Sequence, residues 1–304
     1  MSAPEQSCVC AGLADKLDHL TGESSYRLHR RFDRLGRIFG DAAVEKLLSL
    51  RVIVFGVGGV GSMAAEALAR SAVGRLVLID FDAVCITNTN RQLQAMQGTV
   101  GKPKVSVLGE RLSLINPQAV IETKQAFYKE ERSDELLTPP WPEVEQYDYV
   151  VDCIDNLTAK AHLLASCRAL GLPVVSSMGA AGKLDPTQVR IDDLGKTAGC
   201  PMATSMRKIL RRTHGFPGSG SMGITAVYSA EKRHWPRELG YDGGLGFRCA
   251  CGTHSDEHSC DARSLIDGTT MFVTGAFGLA CASVVVNHFV MPLIALAPRA
   301  KANR

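Results

Sequence analysis

The sequence predicts an α/β fold: a mostly parallel sheet with helices on both faces, and a decorated C-terminal third. Short apolar, β-branched runs recur from Val52 to Ser177, and segments of helical periodicity separate them. A glycine-rich turn at Gly56, Gly58, Gly59 and Gly61 follows the first of these runs and opens a helix. Strands that alternate with crossover helices pair in parallel and are buried on both sides, which accounts for their continuous apolar character.

Taken in order, the polar stretch 1–25 reads as a mobile tail. Tyr26–Leu50 holds RLHRRFDRLGRIFG and then a helical stretch, Ala42–Leu50. Val52–Phe55 is a strand, Ala64–Arg70 a helix stopped by Gly74, and Leu76–Ile79 a second strand that runs into Asp80. Val105–Ile115 is a helix ended by Asn116-Pro117, Val120–Phe127 a strand, and Lys129–Leu137 a short helix. Tyr147–Ile154 is a buried strand leading to Asp155-Asn156, Leu157–Leu170 a helix, and Leu172–Ser177 a further strand. Beyond Met178 the pattern loosens. A strand is expected at Gln188–Ile191, a basic helix at Met202–Arg212, a strand at Ile224–Ser229 and a long surface loop at Glu231–Gly268. No repeat or linker divides the chain, so residues 26–297 are expected to form one domain. Its core is about 31–182 and its substrate-binding part about 183–297. The arrangement is Rossmann-like.

A chain of 304 residues with 45% hydrophobic and 21% charged side chains is an ordinary globular protein with a sizeable core. Its net charge of +3 does not by itself announce a nucleic-acid partner, so any such contact must be a local patch. Ten scattered cysteines, without a small disulfide framework, suggest a reducing compartment. The first twenty residues resemble neither a secretory nor a transit peptide, and a cytoplasmic location is expected. Met271–Ala297 is apolar enough to span a membrane, but Asn287, His288 and Pro292 interrupt it. Its small residues suit close helix packing, so a core helix is expected rather than a membrane span.

The turn Gly56-x-Gly58-x-x-Gly61 between strand and helix is a phosphate-binding signal, and Asp80 stands where a carboxylate takes a ribose hydroxyl. Two readings compete for it: a dinucleotide oxidoreductase and an ATP-using, adenylating enzyme. A dinucleotide pyrophosphate can be held by backbone N–H groups alone. A triphosphate that is being split needs cations aimed at the leaving charge. Arg91 and Lys104 are placed to be those cations, and Asp155, at the carboxyl end of another strand, can hold a magnesium ion that bridges phosphates. Their order favours adenylation.

At this point the motifs GVGGVGS, LVLIDFD, TNTNRQ, GKPK, INP and VVDCIDN resemble the ATP-binding core of the ubiquitin-activating superfamily, in the family's order, from about Arg31 to Gly182. The resemblance implies that ATP is bound by the glycine turn and by Asp80, with the neighbouring Asp82 in the same loop. It implies that Asn88, Arg91 and Lys104 stabilise the triphosphate and that Asp155 holds Mg2+. It further implies a homodimer in which an arginine of one N-terminal helix reaches the partner's ATP. Arg31, Arg34 and Arg37 are the candidates, and Arg37 is favoured. The sulfur-carrier-activating branches carry paired CxxC zinc ligands. Here Cys249-Ala-Cys251 is CxC, with Cys260, His254 and His258 nearby, and zinc is not expected.

GAAGKLDPTQVRIDDLGKTAGCPMATSMRKILRR resembles instead the tRNA threonylcarbamoyladenosine dehydratase family, which extends the match to nearly the whole chain. That resemblance implies a tRNA substrate whose side-chain carboxylate is adenylated and then closed into a ring. It leaves room for a sulfur-donor partner, although the family's cysteine is missing where this chain reads Gly223-Ile-Thr-Ala226. Cys153 reads as core, and Cys200 is the one thiol kept as a candidate. The alternatives are adenylation of the C-terminal glycine of a ubiquitin-like or sulfur-carrier protein, and a catalytically idle nucleotide scaffold. Arg207, Lys208, Arg211 and Arg212 share one broad face of the expected basic helix and are the candidate tRNA contacts. Lys232, Arg233, His234 and Arg237, with Trp235 among them, make a second basic run.

Overall fold

A computed structural model describes residues 31–237, 239–240 and 267–296. The tail 1–25, most of the Glu231–Gly268 loop and its Cys249, Cys251, Cys260, His254 and His258 lie outside the described residues.

Helices α1 (Asp33–Phe39) and α2 (Asp41–Ser49) lead into β1 (Arg51–Phe55). The chain continues through α3 (Gly61–Arg70), β2 (Arg75–Ile79), α4 (Lys104–Ile115), β3 (Val120–Lys124), α5 (Ser133–Leu137), β4 (Tyr149–Asp152), α6 (Leu157–Ala169) and β5 (Val174–Ser177). Then follow β6 (Val189–Asp193), α7 (Pro201–Thr213), β7 (Thr225–Ser229) and α8 (Met271–Leu296). The expected elements are all present. β3, β4, β5 and β7 are shorter than expected, whereas β6 runs two residues further, to Asp193. The stretch expected as one helix from Lys129 is a 3₁₀ turn, Glu130–Arg132, followed by α5.

The seven strands form one sheet in the order β3-β2-β1-β4-β5-β7-β6, parallel except for the edge strand β6, which pairs antiparallel with β7. Chain order reverses between β1 and β4, which makes the carboxyl ends of those two strands the switch point where ligands bind such sheets.

Alternation along the strands divides the core in two. Val52, Val54, Leu76, Leu78 and Val151 face a layer of α2, α3, α4 and α8. Ile53, Phe55, Val77, Ile79 and Val150 face the other layer, with α6 and α7. Each fully buried side chain of this size contributes roughly 1.5–3 kcal/mol, so the two layers supply the bulk of the favourable folding energy. One face of α8 (Val273, Phe277, Cys281, Val285, Val290) packs into the first layer, while Phe272, Leu279 and Met291 on the rest of the helix are exposed. A Cβ on Gly278 would lie 2.3 Å from the Val60 carbonyl oxygen and 2.7 Å from Met63 Cβ, so glycine there lets α8 press onto the start of α3.

The β6–β7 end is held by Asp193. Its carboxylate accepts N–H bonds from Gly195, Met222 and Gly223 and the hydroxyl of Ser221, at 2.7–2.8 Å. Burial opposes ionisation, but these donors outweigh it and hold the carboxyl below the usual range. Asp193→Ala is expected to cost about 1–3 kcal/mol in urea unfolding, because several donors lose their acceptor. The folded-state pKa is depressed, so the contribution is complete above the ordinary carboxylate value of about 3.9 and is lost as pH falls below it. In the alanine variant the stability difference from the parent should therefore shrink in acid.

Candidate active site

The glycine turn after β1 is fixed by two contacts that only glycine permits. Gly56 has φ +82°, and a Cβ there would lie 2.8 Å from the Cys153 carbonyl oxygen. A Cβ on Gly61 would lie 1.8 Å from the Gly56 oxygen. Gly58 and Gly59 are less confined, but a Cβ on Gly59 would lie 3.2 Å from Arg91 Cγ, which places the Arg91 stem against the turn. No side chain caps α3, so the positive end of the helix is left open toward the turn, although its Ser62 N–H is already taken by the Gly58 carbonyl at 3.0 Å. Ser62, the second residue of α3, buries its hydroxyl with no hydrogen-bond partner among the described residues.

Asp80 leaves β2 beneath this turn. Its carboxylate accepts the Val57 N–H at 2.7 Å and the Asp82 N–H at 2.9 Å, so it braces the glycine loop. Burial pushes its carboxyl up, against the pull of Lys104. Lys104, the first residue of α4, is itself buried and donates to Asp82 Oδ2 at 2.7 Å. Burial works against its charge, but Asp80 and Asp82 outweigh this and raise the ammonium above its usual value, so Lys104 is a cation at neutral pH. Its three N–H donors allow it to keep Asp82 while meeting a phosphate.

Asn88 is buried, and its Oδ1 accepts the Cys85 N–H at 3.0 Å, closing the 3₁₀ turn Ile86–Asn88. Arg91 donates to the Thr87 carbonyl at 3.0 Å and to Asn90 Oδ1 at 2.9 Å. Asn90 in turn donates to the Thr269 carbonyl at 2.8 Å, which ties this loop to the segment entering α8.

Asp155 is exposed, in the loop between β4 and α6. The strand ends at Asp152, two residues earlier than the apolar run suggests. Asn156 caps α6 by accepting the Thr158 and Ala159 N–H groups at 3.0 Å. Cys153 and the glycine turn touch through Gly56, so the β1 and β4 loops form one rim at the switch point.

Gly56, Gly58, Gly59, Gly61, Asp80, Asp82, Asn88, Arg91 and Lys104 thus gather at one sheet edge, with Asp155 on the adjoining loop. Other expected residues lie elsewhere. Arg31 donates to the Ile115 carbonyl at 3.0 Å, at the far end of α4. At about 1.5 Å per residue that is roughly 16 Å from Lys104, at the other end of the same helix. Arg37 is exposed and pairs with Asp33 at 2.9 Å.

The basic helix α7 is less uniform than its sequence suggests. Arg207 turns inward and donates to the Thr197 carbonyl at 2.9 Å and to Thr204 Oγ1 at 3.1 Å. Lys208 and Arg212 are exposed, and Arg211 donates to the Pro217 carbonyl at 3.0 Å. The C-terminal end of α7 lies by the C-terminal end of α6, where Arg168 stacks on Phe216 at 4.4 Å. That end is about 18 Å along α6 from the Asp155 loop.

The sequence reading missed the Asp152–Lys160 pair. Both side chains are fully buried, with Nζ to Oδ2 at 2.6 Å, and Ser176 donates to the same oxygen at 2.6 Å. Asp152 Oδ1 accepts the Ile154 N–H at 3.0 Å and so holds the start of the Asp155 loop. A charge inside each of two apolar segments was the one signal available. It also missed Gln94, buried with Nε2 on the Val57 carbonyl at 2.6 Å.

The chain matches the ThiF family over residues 32–301. It belongs to the ThiF family. Within that family, a Haemophilus influenzae tRNA threonylcarbamoyladenosine dehydratase is 36% identical over 264 residues, 86% of this chain and 94% of the relative. The Escherichia coli tRNA N6-threonylcarbamoyladenosine dehydratase, solved in complex with ATP, superposes with a TM-score of 0.73 at 32% identity, covering 88% of this chain and 97% of that one. The same enzyme in complex with AMP also gives 0.73, at 32% identity, over 87% of this chain and 96% of that one. These matches run well past the nucleotide-binding core, into the part of the ThiF fold that carries β6, α7 and β7.

Proposed function

We propose that this chain uses ATP to cyclise threonylcarbamoyladenosine in a tRNA anticodon loop, as one adenylating domain over residues 26–297. The observation that carries the reading is the extent of the match: relatives with this activity align across the C-terminal third as well as the nucleotide rim. A carboxylate oxygen of the substrate attacks the α-phosphorus of ATP, and pyrophosphate leaves. The carbamoyl oxygen of the same side chain attacks the activated carbonyl, its nitrogen gives up a proton, and AMP departs. The net change is loss of one water. The nucleophile is tethered to the electrophile, so no enzyme thioester is needed.

In this reading the glycine turn and the first N–H groups of α3 hold the phosphates, and Asp80 and Asp82 face the ribose. Asn88 shapes the loop that aims Arg91, while Arg91 and Lys104 offset the charge that builds on the leaving pyrophosphate. Among the described residues no three acidic, His or Cys side chains converge on a metal site. Asp155 would be the residue to hold a magnesium ion, which would supply positive charge to offset that of the phosphates. Lys208, Arg211 and Arg212 are proposed to meet phosphates of the anticodon stem, remote from the chemistry. Arg207 is left to brace the turn at Thr197.

Mass spectrometry of nucleosides after incubating threonylcarbamoyl-modified tRNA with the protein and ATP tests the reading. Loss of 18 mass units from the modified nucleoside is expected with ATP and not with NAD. Pyrophosphate exchange into ATP driven by a carrier protein, with the tRNA unchanged, would overturn it.

A homodimer with shared sites is part of the proposal, since Arg31 of one chain is turned away from its own glycine rim. Arg37→Ala is expected to lower kcat for cyclisation at least tenfold, and mixing it with an Arg91→Ala variant should restore activity through hybrid dimers. Unchanged kcat in Arg37→Ala would remove that arginine from the site.

A further inference from the structure

We propose that Trp235, backed by Arg233, is the stacking platform for an unpaired base of the anticodon loop; this rests on the tRNA reading above. Trp235 is 70% exposed, yet the chain around it is tightly tied. The Arg233 guanidinium lies over the indole, 4.5 Å from its centroid, and Arg233 pairs with Asp267. The neighbouring His234 turns the other way, with Nε2 3.1 Å from Glu231 Oε1 and its backbone N–H on the Gly182 carbonyl at 2.8 Å. Glu231 in turn accepts the Leu184 and Asp185 N–H groups at 3.0 Å. Gly182 has φ +68°, and a Cβ there would lie 2.8 Å from Arg233 Cγ, so the close seat of this segment requires glycine.

The position of the segment is as telling as its rigidity. β7 runs parallel to β5, β4 and β1, so the residues that follow Ser229 emerge on the edge that carries the glycine turn. Gly182 N–H donates to the Gly268 carbonyl at 2.8 Å, and the next residue, Thr269, receives Asn90. The Trp235 segment is therefore joined to the loop that carries Arg91 by two backbone hydrogen bonds and the side-chain amide of Asn90. One indole face is occupied by a cation, and most of the indole is open to solvent. Lys232 and Arg237 are exposed beside it. A fixed aromatic ring among cations suits a flipped-out nucleobase flanked by phosphates. The end of α7, by contrast, offers cations but no open ring, since Phe216 there is buried beneath Arg168.

The chain has two tryptophans, and Trp141 is buried, so solvent-exposed indole emission reports on Trp235. Titration with an anticodon stem–loop RNA should quench that emission saturably. Trp235→Leu should abolish the quench and weaken stem–loop binding about tenfold, in line with the usual loss of one stacked base, and leave ATP binding unchanged. Trp235→Phe should recover most of the affinity. A stem–loop that binds without quenching, or that binds Trp235→Leu as tightly as the parent, overturns the platform. Cyclisation with an unaltered KM for tRNA in Trp235→Leu refutes the platform alone. Quenching and binding by the parent chain without any cyclisation refutes the function and supports the platform.

Discussion

Arg91→Ala is expected to lower the rate of adenylation by about 10²–10³-fold, the usual loss when one donor aimed at transition-state charge is removed. The Arg91 stem lies against Gly59, and its guanidinium is steadied by Thr87 and Asn90, so the group is preorganised over the turn proposed to receive phosphates. In the proposed reaction the charge it meets grows as the bond between the α-phosphorus and pyrophosphate breaks. The loss should therefore appear in kcat more than in ATP affinity. Single-turnover release of AMP and calorimetry with ATP separate the two. Arg91→Lys should recover only part of the rate, because a point charge does not reproduce the planar fork. A kcat within twofold of the parent in Arg91→Ala would remove the residue from the reaction.

Lys160→Met is expected to destabilise the fold by about 3–5 kcal/mol, because it strands the fully buried Asp152 carboxylate. Urea unfolding checks this directly. The double variant Asp152→Asn with Lys160→Met should be clearly more stable than Lys160→Met alone, since no unpaired charge then remains buried. The same carboxylate holds the Ile154 N–H at the root of the Asp155 loop. Turnover in the double variant should therefore stay below the parent even where the protein is folded. An Asp152–Lys160 pair that can be broken at no cost in stability would contradict its burial.

Much of this site was legible in sequence because its logic is local. The glycines at 56 and 61 are required by contacts within one strand–turn–helix unit, and a spacing motif records such contacts faithfully. The central strands β1, β2, β4 and β5 announced themselves by apolar runs, since the middle of a parallel sheet is buried on both faces. The small residues of Met271–Leu296 signalled a close helix contact, and Gly278 makes it against Val60 and Met63. The residues at the carboxyl ends of β1, β2 and β4 could likewise be assigned to one rim once the strands were placed in order.

What the sequence could not fix was where long charged side chains spend their hydrogen bonds. Arg207 and Arg212 look alike in a helical projection, yet one is drawn inward by carbonyls of the Leu194–Lys196 turn region and the other faces solvent. Lys104 reads as a free phosphate cation, but packing seats it between two acids. Asp152 and Lys160 read as incidental charges, and only the stacking of α6 on β4 and β5 makes them a buried pair with Ser176. The same is true of Trp235, whose place on the same sheet edge as the Arg91 loop depends on β7 joining the sheet next to β5. Period and spacing determined the elements and the glycine turn, because those follow from interactions a few residues apart. Tertiary packing alone decided the partner of each charge and the edge on which each basic run emerges, because desolvation and distance between remote segments have no signature in local pattern.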